Sequence, residues 1–173
     1  MNILYSSAKE CLSNVIQEYK LTLINNGDTS IFLIGTGIAI SLTITPYGIE
    51  DGYYFMKNKR ILHFNNLSLA ICAKNRRWLS PSVSSEHTSS FNNFIINCLS
   101  KWKKLIKENN YVLEAETAWL DEFQLLTTPK LIVDVQELRQ VRENPPKKEL
   151  QLQPINNEDM QILSPYFSAQ GIL

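Results

Sequence analysis

Two hydrophobic periods meet near residue 20, and that junction limits what the chain can fold into. Before it, Ala8, Cys11, Leu12, Val15, Ile16 and Tyr19 recur at the spacing of one helix face. After it, Ile38, Ile40, Leu42 and Ile44 alternate with Ala39, Ser41 and Thr43. This places four large apolar side chains on one side of a half-buried strand. A pattern of period 3.6 does not serve a strand, nor a period of 2 a helix. The chain must therefore pair helices with a sheet.

Local signals fill in that frame. Ser7 and Glu10 fit the S-x-x-E capping box, which predicts a helix beginning there. Its other face, with Lys9, Ser13, Asn14, Gln17 and Glu18, is polar, so the helix lies at the surface. Leu21 and Leu23 begin a strand, and Asn25-Asn26-Gly27-Asp28 predicts a tight hairpin turn before a second strand over 31–34. Pro46, Gly48 and Gly52 read as a loop over 45–52. Lys57-Asn58-Lys59 turns a further hairpin between 53–56 and 60–64. Residues 67–73 alternate as another strand, with a short helix as the alternative. Residues 79–90, rich in serine, read as a loop.

Phe91, Phe94, Ile95, Cys98, Leu99, Trp102, Leu105 and Ile106 form a helical stripe ~140° wide at ~100° per residue. Lys103, Lys104 and Lys107 point the other way, with Ile96 as an apolar exception among them. Asn109-Asn110 ends this helix. Val112, Ala115, Trp119, Phe123 and Leu126 predict a second one, with Glu114 and Asp121 roughly opposite its apolar side. The two would form a helical hairpin with a basic and an acidic arm. Residues 131–141 are β-rich, Leu150 and Leu152 mark a short strand, and a last helix runs from 157 to 163 and stops before Pro165.

The expected fold is α+β: a mostly antiparallel sheet of about five to seven strands, covered by an N-terminal helix and a helical hairpin. At 173 residues, with 44% hydrophobic residues, one domain over 1–173 suffices. Pro145-Pro146 could set off a small appendage over 145–173, too short to fold alone. Cys11, Cys72 and Cys98 are odd in number and fall on apolar positions, which suits buried thiols in a reducing cytoplasm. No basic and apolar leader opens the chain, and the longest nearly apolar run, 31–44, is shorter than a membrane span. A cytoplasmic, bacterial protein without a membrane segment is expected.

The chemistry-bearing residues do not assemble into a motif. His63 and His87 are far apart, and no cysteine has a C-x-x-C neighbour, so no metal is expected. Gly35-Thr36-Gly37 lacks the third glycine and the following helix of a dinucleotide site, which leaves a turn between antiparallel strands. No cofactor is expected. No elbow motif surrounds a serine near His87, and the cysteines lie on apolar faces. Glu114, Glu116, Asp121 and Glu122 read as a solvated face rather than a catalytic set.

Charge is what remains. Residues 1–51 carry −3, residues 52–107 carry +9 and residues 108–173 carry −6, which cancel. Such blocks either match one another inside the fold or give opposite surfaces that imply charged partners. The expected function is a non-enzymatic protein-binding role, as in an immunity or antitoxin protein that occludes the active site of a cognate toxin. Arg76, Arg77 and Trp78 would form a contact tip, with Glu114, Asp121, Asp134 and Glu137 as an acidic patch. The alternatives are a nucleic-acid or nucleotide binder using the 52–107 basic block, and a small hydrolase using carboxylates with His63 or His87.

Overall fold

A computed structural model describes residues 2–65, 90–127, 136, 139–140 and 149–171. The N-terminal helix starts earlier than its capping box suggests. Asn2 is the N-cap, its Oδ1 accepting from the Tyr5 N–H at 3.1 Å, and Ser7 is a buried residue inside α1 (Ile3–Cys11). The Asn2 amide also donates to Asn25 Oδ1, Gly27 O and Ser30 O at 2.6, 2.7 and 3.1 Å, so one residue caps a helix and fastens the first hairpin. The helix pauses at Leu12 and resumes as α2 (Ser13–Glu18). Leu4, Ala8, Leu12 and Val15 are buried along one side, as the period requires.

Five strands follow as an antiparallel meander: β1 (Thr22–Asn26), β2 (Ser30–Ile34), β3 (Ile38–Thr45), β4 (Gly48–Lys57) and β5 (Arg60–Asn65). The residues expected in the 45–52 loop are mostly strand. Thr45 pairs with Gly48 across a two-residue turn, and β4 runs unbroken to Lys57. Gly52 breaks nothing: a Cβ there would lie 2.6 Å from Ser41 Oγ and 3.1 Å from His63 Nε2, so glycine leaves both side chains their places over β4. At Asn58 and Lys59 both φ angles are positive, 51° and 59°, as a tight hairpin turn requires.

The register sorts the sheet into two faces. Ile31, Leu33, Ile38, Ile40, Leu42, Tyr53, Phe55, Leu62 and Phe64 share one face and all are buried. The alternation read from β3 is thus realised. On this face lies α3 (Phe91–Glu108), with Ile95, Cys98, Leu99, Trp102 and Ile106 in the core beside α1 and α2. Lys103 does not point away: its Nζ donates to Cys11 O at 2.9 Å, tying α3 to α1.

The second arm of the expected helical hairpin is not an α-helix. Residues 109–115 are turns, Ala115 has φ 54°, and after two irregular residues Ala118–Glu122 is a 3-10 turn leading into β6 (Gln124–Leu126). Tyr111, Val112 and Leu113 are buried in succession, followed by Trp119 and Leu120. A helix places three consecutive side chains ~100° apart and cannot bury them all on one side, so packing overrides the periodic signal. β6 pairs in parallel with β7 (Glu149–Gln151). The strand expected over 67–73, and Asp134 and Glu137 in the late β-rich segment, lie outside the described residues. Within that segment Gln136, Arg139 and Gln140 are helical rather than extended.

The last helix, α4 (Asn157–Ala169), passes through Pro165 instead of stopping before it. Leu163 and Phe167, one turn apart, are both fully buried against Phe32, Ile34, Ala39, Tyr54 and Met56 on the second sheet face. That burial offsets the hydrogen bond a proline cannot donate. The Gln170 amide then clamps the β2–β3 turn, accepting from Gly37 N and donating to Gly35 O, each at 3.0 Å. The result is a sheet between two unequal helical layers, an α+β fold. Among the described residues no helix is long and apolar enough to cross a membrane.

Candidate functional site

A groove of about 580 Å³ opens where the β4–β5 hairpin meets the 3-10 turn and β6. Its floor is apolar, made by Leu62, Leu120, Phe123, Leu125 and Leu152, and its rim carries Lys57, Arg60 and Asp121. The two sides of the groove come from distant parts of the sequence. β5 presents Leu62 by strand alternation, and the parallel pairing of β6 with β7 sets Leu125 beside Leu150.

The rim charges are not equivalent. Lys57 Nζ pairs with Asp121 Oδ1 at 2.6 Å and donates to Thr117 O at 2.9 Å. Arg60 is exposed and has no ion pair among the described residues. Asp121, expected as part of a free acidic patch, therefore neutralises a lysine of the basic block. Lys107 and Glu18 repeat the pattern at 3.6 Å. Both pairs join the basic stretch to an acidic one, so the segregation of charge in sequence is partly a matching of charge in space. Glu114 is exposed and accepts from Asn110 Nδ2 at 3.2 Å. Arg76, Arg77, Trp78, Asp134, Glu137, Cys72 and His87 lie outside the described residues.

His63 lies on the other sheet face. Its Nδ1 is 3.1 Å from Pro154 O, and its ring stacks on Tyr54 with centroids 4.2 Å apart. Nδ1–H donating to that carbonyl would leave Nε2 as an acceptor. Nε2 lies 3.1 Å from the point where a Gly52 Cβ would sit, and Ser41 Oγ lies 2.6 Å from the same point. Burial pushes the imidazole below its ordinary pKa, with the Pro154 carbonyl and Asp159 opposing. The nearby carboxylate of Asp159 accepts from Tyr54 Oη at 2.7 Å, which occupies it away from the imidazole. Cys11 and Cys98 are free thiols whose pKa burial raises.

Sequence reasoning missed a buried carboxylate. Asp51 is only 6% exposed on the apolar face of β4, where its Oδ2 accepts from Tyr53 Oη, which in turn accepts from Trp102 Nε1 at 3.2 Å. Burial raises its pKa to about 6 against the lowering effect of those hydrogen bonds, and Oδ1 has no hydrogen-bond partner among the described residues. The available signal was an acid at the position that alternates with Ile49 and Tyr53 on one strand face. Reading 45–52 as a loop concealed it. Its register partner is Leu42, and it is buried on the face that α3 covers.

Comparison with protein-family models, with curated proteins and with solved structures found no match.

Proposed function

We propose that this chain is a non-enzymatic partner-binding protein that covers a functional surface of another protein, as an immunity or antitoxin protein covers a toxin. One observation carries the reading: an apolar-floored groove stands open beside an exposed arginine. Apolar surface left open to water with a polar rim is the usual ground of a protein contact, and arginine is enriched at such contacts. The internal pairing of Lys57 and Lys107 with acids reduces the free cationic surface on which a nucleic-acid reading depends.

The test is purification of the tagged chain from its native source, with and without nuclease, followed by intact mass spectrometry. A stoichiometric protein that survives nuclease, and that is lost from the Arg60→Glu variant, is the expected result. Recovery of nucleic acid alone would overturn the proposal. So would a protein partner retained equally by Arg60→Glu and by charge reversal of Glu114.

A further inference from the structure

We infer that the groove beside the β4–β5 hairpin takes an acidic–aliphatic segment of the partner: a leucine-like side chain on its floor and a neighbouring carboxylate on Arg60. The inference rests on the binding function proposed above and adds the chemistry of what is bound.

The floor sets the first requirement. Leu62, Leu120, Phe123, Leu125 and Leu152 offer no hydrogen-bonding side chain, so a group that reaches them gains by being apolar, while Asn58 and Thr127 add polar side chains to the same lining. A space of about 580 Å³ lies within the range of built ligand sites and has room for an aliphatic anchor and its neighbours.

The rim sets the second. Lys57 is held by Asp121 and by Thr117 O, so its charge is answered within the chain. Among the lining residues this leaves Arg60 as the uncompensated charge, and the groove complements an anion. Guanidinium presents a planar fork that meets a carboxylate with two parallel hydrogen bonds. The arginine also starts from a fixed backbone, because it is the hairpin partner of Lys57 across the tight turn at Asn58 and Lys59. A polyphosphate or nucleic-acid backbone would call for several free cations along a polar track, whereas here one cation borders an apolar floor.

The probe is a library of phage-displayed random dodecapeptides, selected on the full-length chain. Enriched peptides should share Leu, Ile or Phe within two residues of Asp or Glu. A synthetic peptide made from them should lose at least about tenfold in affinity on Arg60→Glu, the size of one charge-assisted contact. Changing its acid to lysine should restore part of that loss on the same variant. Lys59→Glu, exposed but outside the lining, should weaken binding less than Arg60→Glu. Both variants alter exposed side chains and should keep the parental melting temperature. No enrichment, enrichment of basic peptides, or equal affinity for the parent and Arg60→Glu would each overturn the inference. If that happens while purification still yields a protein partner that charge reversal of Glu114 removes, binding stands and only the chemistry assigned to the groove falls.

Discussion

The two faces of one sheet are covered by different means. On the first, α1, α2, α3 and the 3-10 turn close a continuous core, with 27 buried apolar residues among those described. On the second, α4 and the sheet together bury seven, five from the sheet and two from the helix. Because hydrophobic stabilisation scales with buried apolar area, the first layer supplies most of the driving force for folding. The second depends more on polar ties: Gln170 to the β2–β3 turn, Tyr54 to Asp159, and Gln153 N to His63 O at 2.8 Å. Layers with few apolar contacts open locally at lower free energy, so α4 should exchange its amides before α3 does.

The comparison breaks most sharply at Trp102, the largest fully buried side chain among those described, which also donates to Tyr53 Oη. Trp102→Ala should lower the free energy of unfolding by about 3–5 kcal/mol, read by urea denaturation. A loss below about 1 kcal/mol would show that the first layer is not the principal core.

Acid should act on the two covers in opposite senses. Asp51, in the first, has its folded pKa raised to about 6. Between the unfolded value and this one the folded chain holds the extra proton. The stability it contributes is therefore fully present below about pH 4 and lost as pH rises through about 6. A shift of about two units corresponds to about 3 kcal/mol. Asp51→Asn should remove this fall, so the difference between variant and parent in urea midpoints should grow from pH 4 to pH 7 and then level off. Parallel profiles would refute it. His63, under the second cover, has its pKa lowered by burial, so its contribution is present near neutrality and lost as pH falls. Acid should thus loosen α4 while Asp51 favours the other layer.

Gln170→Ala tests the polar ties directly. It removes two hydrogen bonds to backbone, which should cost about 1–2 kcal/mol and raise exchange in α4 with little change in α3. Equal acceleration in both helices would mean that α4 opens only with the whole molecule.

What was legible in the sequence divides along the same line. The alternation of β3 and the stripe of α3 each report a large-apolar face, which is what periodicity detects, and the Asn-Gly turn reports the positive φ of Gly27. β4 is buried on both faces and carries Gly48 and Gly52, so it lacks both alternation and an uninterrupted run; reading its first half as part of a loop over 45–52 followed from that, while 53–56 was legible as strand. Pro165 concealed the end of α4 because the gain from burying Phe167 is a tertiary effect. The groove was least legible of all. Its floor joins Leu62 to Leu152, and only Asp121 among its residues had been named as a candidate site residue, for a charge that the fold pairs with Lys57.

That ion pair gives the smallest expected effect on stability and a clear one on binding. The Asp121 side chain is 73% exposed and that of Lys57 only 17%, so solvent screens the pair from one side. Asp121→Asn should cost less than about 1 kcal/mol in urea denaturation. The same change leaves the Lys57 charge unanswered, although Thr117 O still accepts from its ammonium group. A second free cation then stands beside Arg60. An acidic peptide selected on the parent should bind this variant more tightly, and the gain should shrink as salt is added. If affinity falls instead, Asp121 meets the partner itself, and the groove belongs to an acidic surface rather than to a receptor for acids.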